Sequence, residues 1–379
     1  MIAENVFRAA LPVVVHPVDD EGLGSWIGRV AACYSVPTRT LLQHIGIRRT
    51  DIRVGNWLTL SGLHASDILI LAQTMRRSTS ALTGMLTTPW CLPENAEFGM
   101  CAQCVMATFR SGRPMYWPRL WLDAVTVGCL KHVTWLTPID ANLFRKSVNW
   151  HGVEQRLLTI AENEANPPSR PKTPRLADCI NMSALHLQSL FNDDPDDRTA
   201  WRRYGIVSVS GARRVAQDLL DVLLAAEATR ADYSLLSEFA LHLKMPLALS
   251  TVSIIPRQAR AMRIRQVKTL EARIFAMAMT DNLMFASARI NDLQLRPTAF
   301  DARSMRTHWM WPLIPSTSLD LLAERIKNWP VDYVSSCWPE LDNIEKAPML
   351  HRRKMLIVLC ANRDNPPTLY HPLANIRAN

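Results

Sequence analysis

Between residues 19 and 50 the apolar positions recur with a helical period. Leu23, Trp26, Ile27 and Val30 form one stripe, and Leu41, Leu42 and Ile45 form a second. Asp19, Asp20 and Glu21 precede the first stripe, where the helix macrodipole favours negative charge. Ser35-Val36-Pro37-Thr38 interrupts the pattern; Thr38 is placed to cap the second helix and Gly46 to end it. Helix, short turn, helix is the outline of a helix-turn-helix, shared with many helical hairpins that touch no DNA. The next stretch, "SDILILAQTMRRSTSALTGM", predicts an apolar helix from Ser66 to about Arg76. A turn marked by Arg76 and Arg77 follows, then a short helix ending at Gly84.

Residues 86–150 lose this periodicity and gain tryptophan, proline and cysteine. "NEANPPSRPKTPR", from Asn163 to Arg175, is proline-rich and basic and reads as an extended linker. Helical pattern then returns. Ser210 is placed to cap a helix whose core stripe is Val215, Leu219, Val222 and Leu223. "DYSLLSEFALHLKMP" gives a short helix stopped by Pro246, and a long helix is expected from Pro256 to Ile290. Arg257, Arg260, Arg263, Arg265 and Lys268 crowd its first half, against the dipole preference. A phosphate-facing role there competes with a solvated face of mixed charge. The pattern predicts a mainly α protein. Helix-turn-helix-like helices occupy 1–85, a small zinc-ribbon or knuckle module 86–150, a proline-rich linker 163–175 and a helical C-terminal domain 176–379.

Composition narrows the class. The 379 residues are 48% hydrophobic and 20% charged, which is globular rather than disordered. The net charge is +9, with the excess in arginine, which favours a polyanionic partner such as nucleic acid or else marks a solvated basic surface. The apolar run Ala9–Val15 is short and broken by Pro12, so no secretory signal is expected, and no window is apolar enough to span a membrane. The eight cysteines are too sparse for a disulfide framework and point to a reducing cytoplasm. No glycine-rich phosphate loop appears.

The chemistry concentrates in one place. Cys101-Ala-Gln-Cys104 is a CxxC and Cys129-Leu-Lys-His132 a CxxH, with 24 residues between Cys104 and Cys129. A two-residue gap lets both ligands of a knuckle reach one metal from a tight turn, and two knuckles complete a tetrahedral zinc. Four protein ligands leave no open position, so one structural Zn2+ is expected rather than a catalytic one. A redox CxxC would follow a strand in a βαβ unit, which the pattern does not contain. Cys33, Cys179, Cys337 and Cys360 lie in apolar surroundings and read as small core residues, and Cys91 as a bystander. The basic groups nearest to this region are Arg48, Arg49, Arg53, Arg76, Arg77, Arg110, Arg113 and Arg119; with Arg257 and Arg260 they are the candidates for phosphate or partner contact. Tyr116, Trp117 and Trp121 either stack on nucleic acid or form the module's small core, and core is favoured.

In order and in kind these residues resemble the TniQ family of transposon target-selection proteins. The resemblance starts at "LPVVVHPVDDEGLGSWIGRVAACYSVPTRTLLQHIG", where Ser25, Trp26 and Arg29 carry an S-W-x-x-R helix. It continues through "LTGM" at Leu82–Met85, Cys101, Cys104 and "VTVGCLKHVTWL", and covers about the first 140 residues. Ala102 stands where the family has proline, and no second knuckle follows the histidine; His151 alone cannot replace one. The resemblance implies a non-enzymatic adaptor. Such proteins bind target DNA, or dock on an RNA-guided Cascade complex in CRISPR-associated transposons. They recruit an AAA+ ATPase, and the resemblance also implies a homodimer. The competing class is a zinc-containing, sequence-specific transcription factor, which would not bind an AAA+ ATPase. A zinc-dependent enzyme would need an open coordination site.

Overall fold

The structure, a computed structural model, describes residues 10–47, 57–60, 63–88, 90–93, 95–140, 142–146, 149–165, 175–192, 208–227, 230–242, 263–292, 310, 316–330, 333–334 and 338. The protein is mainly helical, with three short two-stranded sheets among these residues. It divides into two compact units. One is Met1–Pro174 with Arg265–Arg273; the other is Arg175–Ile264 with Ile274–Asn379.

The first unit opens with α1 (Leu23–Cys33) and α2 (Thr38–His44). The predicted stripes are its core: Leu23, Trp26, Ile27, Val30, Leu41, Leu42 and Ile45 are buried together with Leu71, Met75 and Leu82. The cap is one residue earlier than expected. Pro37 is the extended residue at the N-terminus of α2, and Thr38 is already inside the first turn, buried. Among the described residues its hydroxyl has no hydrogen-bond partner. Gly46 ends the helix at φ +92°, a conformation glycine adopts without penalty. α3 (Ala65–Met75) begins where Asp67 accepts a hydrogen bond from the His64 N–H at 2.9 Å, and ends at Arg76 in the left-handed region. α4 (Thr79–Gly84) is capped by Ser78, whose hydroxyl accepts from the Ala81 N–H. Gly24 has a further reason to be glycine: a Cβ there would lie 2.1 Å from the Leu58 carbonyl oxygen.

The second part of this unit is built from small pieces. They are β1 (Phe98–Met100), α5 (Ala102–Arg110), a 3-10 turn (Arg119–Leu122), β2 (Gly128–Cys129), β3 (Thr134–Trp135), β4 (Thr137–Ile139), α6 (Asn142–Lys146) and α7 (Trp150–Ala165). β1 pairs antiparallel with β4, Phe98 opposite Ile139, and β2 with β3. α5 lies against α7. Trp57, Phe98, Trp117, Trp121, Phe144 and Trp150 form an edge-to-face aromatic core with centroid distances of 5.1–6.4 Å. The favoured reading of the tryptophans thus holds: Trp117 is 0% exposed and Trp121 8%.

One carboxylate joins the helical part to the aromatic part. Glu21, 2% exposed, accepts from the Ser25 hydroxyl at 2.7 Å, the Val18 N–H at 3.0 Å and the Arg29 guanidinium at 2.5 Å. Ser25 in turn accepts from the Trp117 N–H at 2.9 Å. Gly22 N–H donates to the Trp117 carbonyl and Arg119 N–H to that of Asp20. Burial pushes the Glu21 carboxyl above its usual range, against the lowering effect of its three donors.

Residues 265–273 complete the same unit. Arg265 Nε donates to the Cys91 carbonyl at 2.7 Å. Glu97 Oε2 accepts from the Leu270 N–H at 2.9 Å, and the Glu97 N–H donates to the Lys268 carbonyl. Arg273, 1% exposed, donates to the carbonyls of Glu97, Val267 and Lys268. Its burial pulls the guanidinium down to about 10. The expected long helix is therefore not continuous. Arg263–Gln266 is a 3-10 turn and the helix proper, α11, starts at Leu270 and ends at Asp292.

The second unit contains α8 (Arg175–Asn192), α9 (Val209–Leu223), β5 (Ala226–Glu227) paired with β6 (Arg230–Ser234), α10 (Leu235–His242), most of α11 and α12 (Ser316–Ile326). Ser208, not Ser210, caps α9, accepting from the Gly211 N–H; the stripe Val215, Leu219, Val222 and Leu223 is buried as predicted. Asp218 accepts from the Trp329 indole at 2.9 Å and faces Arg325 at 3.3 Å. His186 Nδ1 meets the buried Asp281 carboxylate at 2.5 Å.

Two outcomes follow for the first unit. Arg29→Ala leaves Glu21 buried and uncompensated and should destabilise the protein by about 3 kcal/mol, read as a lower melting temperature. Asp123 is 4% exposed and burial raises its carboxyl to about 6, with Thr88 donating to it. A raised carboxyl stabilises the fold only below its ordinary value, and that contribution is lost as pH rises through about 6. Asp123→Asn should therefore melt higher than the unmodified protein near neutral pH, by on the order of 2 kcal/mol, and the gap should close in acid.

Candidate metal centre

Cys101 leaves β1 and becomes the N-cap of α5, where its sulfur accepts from the Cys104 N–H at 3.4 Å. Cys104 lies in the first turn of that helix. Cys129 ends β2, and the chain reverses through Leu130-Lys131-His132 into β3. Val133 completes the reversal at φ +48°, a left-handed conformation that a β-branched residue rarely adopts. The two knuckles thus present their ligands from a helix start and a hairpin turn.

The donor atoms of Cys101, Cys104, Cys129 and His132 all lie within 4.8 Å of one another. His132 Nδ1 is 3.2 Å from the Cys101 sulfur, 3.3 Å from that of Cys104 and 3.5 Å from that of Cys129; Cys104 and Cys129 sulfurs are 3.7 Å apart. A tetrahedral zinc with ordinary bond lengths sets sulfur pairs about 3.8 Å apart and sulfur–nitrogen pairs about 3.6 Å apart. The four donors therefore fit one tetrahedral ion. Three thiolates and one imidazole are a soft set that suits zinc and leaves no open position.

The three thiols perturb one another strongly. Hydrogen bonds shared with the Cys101 and Cys104 sulfurs hold Cys129 far below the usual thiol range. Cys104 is pushed far up by its hydrogen bonds to Cys101 and Cys129. Three crowded sulfurs cannot all shed their protons unaided; a divalent cation removes that conflict. Cys91 is outside the cluster. It donates to the Leu92 carbonyl, and burial pushes it up to about 11. Cys33 is exposed rather than in the core, because α1 ends there and turns its last residue outward. Cys337 and Cys360 lie outside the described residues, as does the Cys179 side chain.

The basic candidates divide. Arg48, Arg49, Arg53, Arg257 and Arg260 lie outside the described residues. Arg77 meets His16 Nδ1 at 2.7 Å, and Arg76 is the left-handed residue that ends α3. Arg119 donates to the Gly84 carbonyl at 2.6 Å and so ties the 3-10 turn to the end of α4. Arg263 is buried, its N–H on Asp221. Arg110 and Arg113 are exposed. His151, exposed, pairs with Glu154. Sequence reasoning assigned no role to Glu21 beyond its helix end, yet Glu21, Ser25 and Arg29 are spaced four apart twice over, which is the signal that would have found the network.

Fold and site together define a helical protein carrying a compact Cys3His centre inside an aromatic module. Residues 12–136 match the model of the TniQ family. Both knuckles and the Glu21–Ser25–Arg29 network fall within the matched residues. No curated protein matches the sequence.

Cys104→Ser should bind no stoichiometric metal and melt more than about 5 °C lower, because metal binding and folding are linked. Metal should also leave on acidification, since three thiols must lose protons to bind it. Atomic absorption across a pH series checks both; an unchanged metal content in the variant refutes the site.

Proposed function

We propose that this protein is a target-selection adaptor of transposition, with no catalytic activity of its own. It engages target DNA, directly or through an RNA-guided Cascade complex, and recruits an AAA+ ATPase that brings in the transposase. The observation that carries this reading is the TniQ match over residues 12–136, which spans the helical pair and the Cys3His centre. The ligand set supports one structural Zn2+ held by Cys101, Cys104, Cys129 and His132; with four protein donors it would hold the fold in place rather than activate water. The net charge of +9 supports a polyanionic partner. Among the described residues no helix is long and apolar enough to cross a membrane. An adaptor of this kind works in the cytoplasm, beside the DNA it targets.

Pull-down against the AAA+ ATPase of the same element should recover a complex. Affinity for duplex target DNA should fall at least about tenfold between about 50 and 200 mM salt. DNA binding without any ATPase complex would instead support a zinc-containing transcription factor.

A further inference from the structure

The metal centre fixes one end of α5, and the packing against α7 fixes its length. What the helix carries at its other end is a turn, Phe109-Arg110-Ser111-Gly112-Arg113-Pro114, in which every residue is exposed. The turn is ordered by its own hydrogen bonds. Ser111 Oγ donates to the Thr108 carbonyl at 2.8 Å, Gly112 N–H to that of Phe109 at 3.0 Å and Arg113 N–H to that of Thr108 at 3.3 Å. Gly112 takes φ +65° and has open space where a Cβ would stand.

Three features of this tip coincide. Phe109 is 54% exposed, while the aromatic residues Trp117 and Trp121 further along are buried. Arg110 and Arg113 flank it, and among the described residues neither guanidinium makes an ion pair. No carboxylate occurs from Phe98 to Leu122, and the next one, Asp123, is buried. The charges within this stretch are therefore all positive, while the acidic groups of the packed helix are Glu154, Glu162 and Glu164 of α7. An acidic peptide would answer the charge but offers no flat π face to the ring. A nucleic-acid strand offers both, at alternating positions along one chain.

We infer that the Phe109–Arg113 turn is a contact for a polynucleotide strand. The Phe109 ring takes the face of an unstacked base, and Arg110 and Arg113 take the flanking phosphates. The inference rests on the reading of the chain as a nucleic-acid-targeting adaptor and adds the residues that would touch the strand.

The test uses the full zinc-loaded chain and fluorescence anisotropy with labelled single-stranded DNA, single-stranded RNA of the same sequence, and the DNA duplex. Phe109→Ala should weaken single-strand binding about tenfold without changing the salt dependence, and Phe109→Trp should restore it. Arg110→Ala with Arg113→Ala should lower the salt slope by roughly 1.4, about 0.7 for each phosphate left without its arginine on a single strand. Zinc content and melting should be unchanged in all of these variants. The tighter of the DNA and RNA strands identifies the source. Full affinity in Phe109→Ala, or displacement of the strand by poly-glutamate as readily as by unlabelled oligonucleotide, overturns the inference. A chain that recovers the ATPase but binds none of the three probes overturns it too, and leaves the adaptor reading standing. A chain that does neither removes both.

Discussion

Glu21 carries a negative charge into a site where only 2% of the residue meets solvent, and the first unit is arranged around satisfying it. Its donors come from three directions: the lead segment through Val18, the next helical turn through Ser25, and the following turns through Arg29. Arg29 also reaches the His16 carbonyl, so the extended lead is pinned to α1. Ser25 passes the network on to the Trp117 N–H. Trp26, between them, faces the other way into the core and donates its indole N–H to the Val15 carbonyl. The S-W-x-x-R pattern is thus a physical device. The serine relays, the tryptophan fills, and the arginine neutralises. Removing water from such a carboxylate is costly, and the cost is offset only if every partner is in place. That requirement specifies one arrangement of lead, helix and aromatic segment rather than several of similar energy.

The Cys3His cluster addresses a different problem. The strands β1 to β4 are two or three residues each, too short to hold a hairpin on their own. An ion on these four donors, from a helix start and a hairpin turn, would close the module where its sheets cannot. The aromatic rings of the same module pack edge to face. The short helix α5 is thus anchored at its start by the cluster and along its side by α7.

Local features were legible in the sequence and distant ones were not. The stripes of α1, α2 and α9 and the end of α4 at Gly84 follow from side-chain period and a single glycine, both local properties. The four ligands follow from two gaps of two residues, which geometry makes meaningful. Capping was read one or two residues off, at Thr38 and Ser210, because several neighbouring residues could serve and tertiary packing chose among them. The Ser25–Trp117 bond links residues 92 apart, and nothing at either end announces the other. The break before Leu270 has the same origin: Arg265, one of the basic residues grouped on an expected helix face, instead bonds a carbonyl 174 residues away.

Those distant bonds bear on how the protein comes into being. The first unit includes Arg265–Arg273, whose side chains and backbone hold Cys91 and Glu97, the residues leading into β1. A nascent chain that has reached Pro174 carries every residue of the TniQ match yet lacks the piece that completes the unit. The roughly one hundred residues still to come take about 5–20 s at ordinary elongation rates. During that interval the Glu97 carboxylate and the carbonyls awaiting Arg273 must be served by water or by another protein. Vectorial synthesis therefore does not deliver this unit first and the rest afterwards; the N-terminal part waits for a segment of the C-terminal half before it can close.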